Sequence, residues 1–165
     1  SHQNYRRQRI IRLFSISQTG ADMTNARQDE LSLHMRIPAD RCYLGNALLT
    51  LDGICDHFSV SDDSRGRIRS ALETALIGSI ELSYQKASGL FDLKFSVFKD
   101  KLQITVEDFM LNEEPDALEE YTHPSVEQMR QRLDPVAVLT DGFKIIKEAG
   151  RNSCYSMQFN LVLVE

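Results

Sequence analysis

Hydrophobic and polar residues alternate at the start of the regularly patterned part of the chain. Leu31, Leu33, Met35 and Ile37 recur at every second position until Pro38, which predicts a half-buried strand. Three later segments alternate in the same way and are predicted strands: 91–97, 102–106 and 155–163. Because only the polar residues 99–101 separate the first two of these, we expect them to form a hairpin.

Two segments with helical spacing lie between the first strand and the hairpin. Asp40 is a helix-capping residue type, and the apolar positions within 44–58 fall on one stripe, which predicts a helix. Ser61 and Asp62 begin a second predicted helix, whose stripe includes Ser79 and which ends near Gly89.

The last third of the chain is less regular. Residues 107–122 lose all periodicity and predict a loop. A capping box of Ser125 and Gln128 predicts a short helix after Pro124. A further helix is predicted over residues 136–149, with Gly150 as its stop.

The predicted order of elements is β-α-α-β-β-loop-α-β. Helices on one face of a mostly antiparallel sheet make an α+β two-layer sandwich. Residues 1–30 are polar after a short arginine-rich start, and they predict an N-terminal appendage or linker. Residues 31–165 form the predicted globular domain.

Composition narrows the possible functions. The chain has 165 residues with 19 Lys+Arg against 24 Asp+Glu, and this net charge of −5 argues against a dedicated nucleic-acid binder. No apolar run reaches the ~20 residues of a membrane helix. The three cysteines form no CxxC motif, and no set of cysteines and histidines has the spacing of metal ligands, so we expect no metal site. An odd number of cysteines without such a motif is typical of reduced thiols, and we therefore expect a cytoplasmic protein.

Charge is unevenly distributed along the chain. Residues 1–14 hold four arginines and no acid, whereas residues 107–120 hold seven acids and no base. Such runs are usually solvated tails and loops, and less often docking surfaces.

The order of elements, together with Ile37-Pro38-Ala39-Asp40 and the segment 71–76 (Ala-Leu-Glu-Thr-Ala-Leu), resembles the anti-sigma-factor serine/threonine kinases. These belong to the gyrase and histidine-kinase ATPase superfamily, the Bergerat fold. The resemblance covers about residues 31–164. It implies a Bergerat fold, a nucleotide site, and protein partners that are a sigma factor or an anti-sigma-factor antagonist domain.

The family's motif on the second helix is a Glu followed one turn later by an Asn, which supplies an oxygen to Mg²⁺. Glu73 stands at the Glu position and would be the catalytic base, but Ile77 stands at the Asn position. An alkyl side chain offers no oxygen to this cation. The alternative is that Glu73 is an ordinary exposed glutamate with no role in a site.

Two further motifs depart from the family pattern. Asp108 matches the aspartate that binds adenine, but Met110 and Asn112 replace the glycines that follow it. The alternative for Asp108 is a loop acid in an acidic run.

The glycine-rich turn that binds phosphates at a helix N-terminus is matched by Gly142 alone, preceded by Asp141. A lone glycine in a helical pattern is more often a close-packing site.

The joint departures favour a kinase-fold regulatory protein that acts by protein–protein binding in bacterial partner switching. The sequence leaves enzymatic activity open, and this hypothesis favours its loss, with ATP and Mg²⁺ not used as cofactors. The alternatives are an active serine kinase with Glu73 as base and Asp108 on adenine, or a dimerisation or regulatory module of a larger signalling protein. A homodimer is possible in each case.

Overall fold

The chain forms one antiparallel sheet covered on one face by helices. A computed structural model describes residues 15–16, 30–83, 89–110, 125–146 and 153–164. The strands are β1 (Ser15–Ile16), β2 (Glu30–Pro38), β3 (Gly89–Phe98), β4 (Lys101–Met110), β5 (Gly142–Ile146) and β6 (Cys154–Asn160). The helices are α1 (Leu44–His57), α2 (Asp62–Ser83) and α3 (Val126–Ala137), and a 3-10 turn at Arg41–Tyr43 precedes α1. The sheet order is β1-β2-β3-β4-β6-β5, with every neighbouring pair antiparallel.

The core lies between this sheet and the three helices. Alternate residues of β3, from Phe91 to Val97, are at most 2% exposed, and their neighbours along the strand are half-buried or exposed. The apolar stripes of α1 and α2 cover that buried face, and each fully buried large side chain contributes roughly 1.5–3 kcal/mol. The predicted α+β two-layer sandwich is confirmed.

Side chains fix where the helices begin. Asp40 has extended backbone and accepts a hydrogen bond from the Cys42 N–H at 2.9 Å, which starts the 3-10 turn that leads into α1. The predicted capping box of α3 is confirmed. Ser125 Oγ accepts from the Gln128 N–H at 3.1 Å, and Gln128 Oε1 accepts from the Ser125 N–H at 2.9 Å.

The prediction of a helix over residues 136–149 is wrong. Helix α3 ends at Ala137, shortly after Pro135, and the chain turns into strand β5 at Gly142. Phe143 and Ile145 have the two-residue spacing of a strand and pack against the core. Pairing with β6 therefore sets the structure of this segment. Residues 147–150, with the predicted stop at Gly150, lie outside the described residues.

Three other boundaries differ from prediction. Strand β4 continues through Glu107 to Met110, so the start of the predicted loop is strand, and Asn112 lies outside the described residues. Strand β6 ends at Asn160, and Leu163 then forms an isolated bridge with Val60. Within the predicted N-terminal linker, the two residues of β1 pair with β2 at the sheet edge.

Three arginines near the start of α2 join it to neighbouring elements. Arg65 pairs with Asp56 and Arg69 with Asp52, so both bind α1. The third pair ties α2 to the turn before β5, because Arg67 binds Asp141 at 3.1 Å. The same carboxylate accepts a hydrogen bond from the backbone N–H of Asn160 at 2.7 Å.

This arrangement predicts a pH dependence of stability. Two hydrogen bonds lower the pKa of Asp141 below the ordinary value for an aspartate, which is about 3.9. The bond from Arg67 has the larger effect, and the bond from Asn160 has the smaller one. A lowered carboxyl pKa stabilises the fold above the unfolded value, and this contribution is lost as the pH falls through the folded pKa. We expect Asp141→Asn to cost about 1 kcal/mol at pH 7 and much less near pH 3, measured by urea unfolding. Asp134→Asn, an exposed change on α3, is the control, and equal losses at both pH values would contradict the assignment.

Candidate functional site

Asp108 faces the helices from the far end of strand β4. It continues the buried row of Leu102, Ile104 and Val106, so the period of the strand directs its side chain toward the core. Its side chain is almost fully buried, and its backbone N–H donates to the Ser153 carbonyl oxygen at 3.0 Å. A carboxylate in that position is unusual for a purely structural core residue, since burial disfavours its charge.

A small cavity lies beside Asp108, where α2 and α3 meet the sheet. Its volume is about 10 Å³, which accommodates one water molecule. Helix α3 contributes Met129 and Leu133 to its lining. The complete lining is Gly78, Ser79, Leu82, Val106, Asp108, Met129, Leu133, Ser153 and Tyr155.

A buried hydrogen bond crosses the cavity between α2 and β6. Ser79 Oγ donates to the Ala75 carbonyl oxygen at 2.9 Å and lies 2.8 Å from the Tyr155 hydroxyl. Because the Ser79 proton is used in the helix, the tyrosine is the donor of the second bond. Burial, with a further contribution from the charge of Asp108, raises the pKa of Tyr155. Tyr155 is therefore a fixed hydrogen-bond donor at neutral pH, and it cannot act as a base there.

The structure brings only one of the three predicted site residues into this cavity. Asp108 lines it, whereas Glu73 is exposed on α2 and does not. Gly142 begins β5, where an added Cβ would lie 3.5 Å from the Cβ of Gln158. Gly142 therefore does not stand at the start of a helix, and Asp141 beside it binds Arg67.

Gly78 of α2 lies against α3. A Cβ at this position would lie 3.4 Å from Arg132 Cγ and 3.8 Å from Leu133 Cδ2. Ile77, one residue earlier, packs against the core without lining the cavity. The sequence reasoning missed Gly78, Ser79 and Tyr155 as lining residues, although a serine within the apolar stripe of α2 was a usable signal.

Within the part of the chain that the structure describes, no cluster of cysteine, histidine and acidic residues forms a metal site. Burial raises the pKa of the Cys55 thiol to about 11, so this thiol is not a nucleophile at neutral pH. Within the described ranges, no three His, Cys, Asp or Glu residues stand close enough to hold a metal ion. In the same ranges, no helix is long and apolar enough to cross a membrane.

Comparison with known proteins shows that the sequence is distantly similar to bacterial serine-protein kinases. The chain is 26% identical over 127 residues to the serine-protein kinase RsbW of Oceanobacillus iheyensis, covering 72% of this chain and 80% of the relative. It is 27% identical over 77 residues to RsbW of Bacillus subtilis and 30% identical over 78 residues to RsbW of Staphylococcus epidermidis. These shorter matches cover 46% of this chain and about half of each relative, 48% and 49%. No protein-family profile matches the chain.

The distant similarity supports kinship with the anti-sigma-factor kinases that the sequence resembles. The α+β two-layer fold agrees with it. The three relatives compared above are each a serine-protein kinase RsbW.

Proposed function

We propose that this chain is an anti-sigma-factor-kinase-like regulator that acts in the cytoplasm by binding another protein, and that it has lost ATP binding and kinase activity. The observation that carries the proposal is the small size of the cavity at Asp108. Ligand pockets are commonly about 300–1,000 Å³, whereas this cavity measures about 10 Å³. Met129 and Leu133 of α3, both nearly fully buried, occupy the space beside it.

The lining residues support the same conclusion. On α2, the cavity is lined by Gly78, Ser79 and Leu82, and of these only the serine carries a side-chain oxygen. That oxygen already donates to Ala75 and accepts from Tyr155. A magnesium–phosphate group requires several hard oxygen ligands, which this face of α2 does not offer.

The proposal predicts no Mg²⁺-dependent ATP binding at millimolar nucleotide, measured by calorimetry or thermal shift. Neither Ile77→Asn nor Gly78→Asn is expected to restore it. The amide at position 78 would add one oxygen to the cavity and the amide at position 77 would add none, while Met129 and Leu133 would still fill the space. Ile77→Asn is the matched control for Gly78→Asn, since only position 78 lines the cavity. A saturable signal that strengthens with Mg²⁺ in the unaltered protein would refute the loss of nucleotide binding.

A second candidate function is an active serine kinase with Asp108 on the adenine. The similarity to serine-protein kinases favours it, as does the placement of Asp108 in the cavity. It requires α3 to move away from α2, with Glu73 as the base. Transfer of phosphate from ATP to a serine of a captured partner would establish this function, and the ATP titration above separates it from the first.

The proposed partner is a sigma factor or an anti-sigma-factor antagonist domain, which a pull-down from the source organism would recover. The sequence 107–120 contains seven acidic residues and no basic one. We propose that residues 107–133 include the docking region, where acidic side chains would speed encounter with a basic partner.

Neutralising Glu113, Glu114, Glu119 and Glu120 together is expected to slow association with the captured partner about tenfold at low salt. The effect should fade at high salt, where screening shortens the reach of the field. Stopped-flow or biosensor kinetics measure it. Unchanged association at low salt would mean that the acidic run is only a solvated loop.

A further inference from the structure

One carboxylate on α2 is shared by two arginines from different elements. Glu81 binds Arg41 of the 3-10 turn at 2.6 Å through Oε1, and it also binds Arg132 of α3 through Oε2. Five other arginines each pair with a different carboxylate: Arg36 with Asp92, Arg65 with Asp56, Arg67 with Asp141, Arg69 with Asp52, and Arg130 with Glu127. The group at Glu81 therefore holds two positive charges against one negative charge.

Both guanidinium groups contact Glu81 and still have donors to offer. The Arg132 stem packs over Gly78, with Cγ 3.4 Å from the position of an added Cβ, and Arg41 follows the capping residue Asp40. Each arginine contacts Glu81 through Nη2, and a guanidinium has five N–H donors in a planar fork. The side chains of Arg41, Glu81 and Arg132 are 60%, 40% and 46% exposed, so a ligand can reach them from solvent.

We propose that Arg41 and Arg132 form a phosphate-binding site in which Glu81 occupies the place of the anion until a phosphate group displaces it. A phosphate monoester carries about −1.5 to −2 charges at pH 7 and matches two guanidinium groups where a single carboxylate does not. Planar guanidinium groups bind such oxygens with paired hydrogen bonds. Since both arginines reach the two oxygens of one carboxylate, both can reach one tetrahedral anion.

The phosphate can belong to a free anion or to a phosphorylated side chain of a bound protein. In both cases Glu81 competes with the ligand for the same donors. This site is separate from the cavity at Asp108 and does not rest on the proposed function, so either can fail without the other.

The test is a titration of the full chain with inorganic phosphate at low salt, followed by NMR or calorimetry. We expect Glu81→Gln to tighten binding about tenfold, because it removes the competing charge, and Arg41→Gln or Arg132→Gln to weaken it about tenfold. Arg130→Gln, on the exposed face of α3, is the matched control and should leave binding unchanged. Thermal unfolding of every variant shows whether it is folded.

The variants move in opposite directions, which a merely structural ion pair does not predict. Unchanged or weaker phosphate binding in Glu81→Gln overturns the proposal, as does full binding in Arg41→Gln. If Arg132→Gln fails to fold, Glu81→Gln and Arg41→Gln still test the proposal.

A phosphoserine peptide that binds more tightly than inorganic phosphate identifies a phosphorylated protein as the source of the phosphate group, and equal binding identifies the free anion. Equal binding of the peptide without its phosphate overturns the site.

Discussion

Replacing Leu133 with alanine is expected to lower the free energy of unfolding by about 3 kcal/mol, one of the largest single losses available outside the sheet. Leu133 is 2% exposed and packs from α3 toward α2, where it lines the cavity beside Asp108. The substitution removes three carbon atoms, and the backbones of α2 and β4 cannot collapse fully into the space they leave. Urea unfolding followed by circular dichroism measures the loss.

Val138→Ala is the matched control for this experiment. Val138 directly follows α3 and is 85% exposed, so its truncation should change stability by no more than about 0.5 kcal/mol. Comparable losses for the two variants would show that α3 is not anchored through Leu133. A large loss for Leu133→Ala alone supports the packing that keeps the cavity small.

Much of the fold could be predicted because one face of each element is buried. In β2, β3, β4 and β6 the apolar residues recur at every second position. Alternate residues of a strand point to the same face, so this period identifies strands that bury one face under the helices. The capping box at Ser125 and Gln128 is similarly local, since both of its hydrogen bonds form within one turn.

Strand β5 could not be predicted in the same way. Residues 136, 139, 143 and 146 are apolar at helical spacing, while Phe143 and Ile145 also satisfy the spacing of a strand. The choice depends on β6, which offers an edge that pairs with Gly142–Ile146. Such pairing is a tertiary interaction, and no pattern within the segment reports it.

One residue of the candidate site, Asp108, was identified through its match to the adenine-binding aspartate of the family, because the predicted strand ended at residue 106. In the structure β4 runs on to Met110, so the alternation of the strand continues through Asp108 and turns its side chain inward. Helix α2 packs against α1, α3 and the sheet, and its buried stripe is too broad to show which edge meets the cavity. Adjacent helix positions point about 100° apart, which is enough to place Gly78 at the cavity and leave Ile77 outside it.

Replacing Ser79 with alanine is expected to destabilise the protein by about 1–2 kcal/mol, more than replacing Tyr155 with phenylalanine. Ser79→Ala leaves the buried Tyr155 hydroxyl without the acceptor that it now has 2.8 Å away. In Tyr155→Phe the hydroxyl itself is gone, and Ser79 keeps its bond to the Ala75 carbonyl oxygen. Leaving a buried donor without its acceptor lowers the free energy of unfolding more than removing the donor from the pair does.

The double variant distinguishes this hydrogen bond from simple packing at the cavity. If the bond between Ser79 and Tyr155 is the source of the loss, the double variant should be less destabilised than the sum of the two single variants. Urea unfolding of all four proteins closes the cycle. Strict additivity would mean that the two residues act separately, and a larger loss in Tyr155→Phe than in Ser79→Ala would contradict the assignment of the tyrosine as donor. The expected order follows from geometry alone, because Ser79 has a second partner in its own helix.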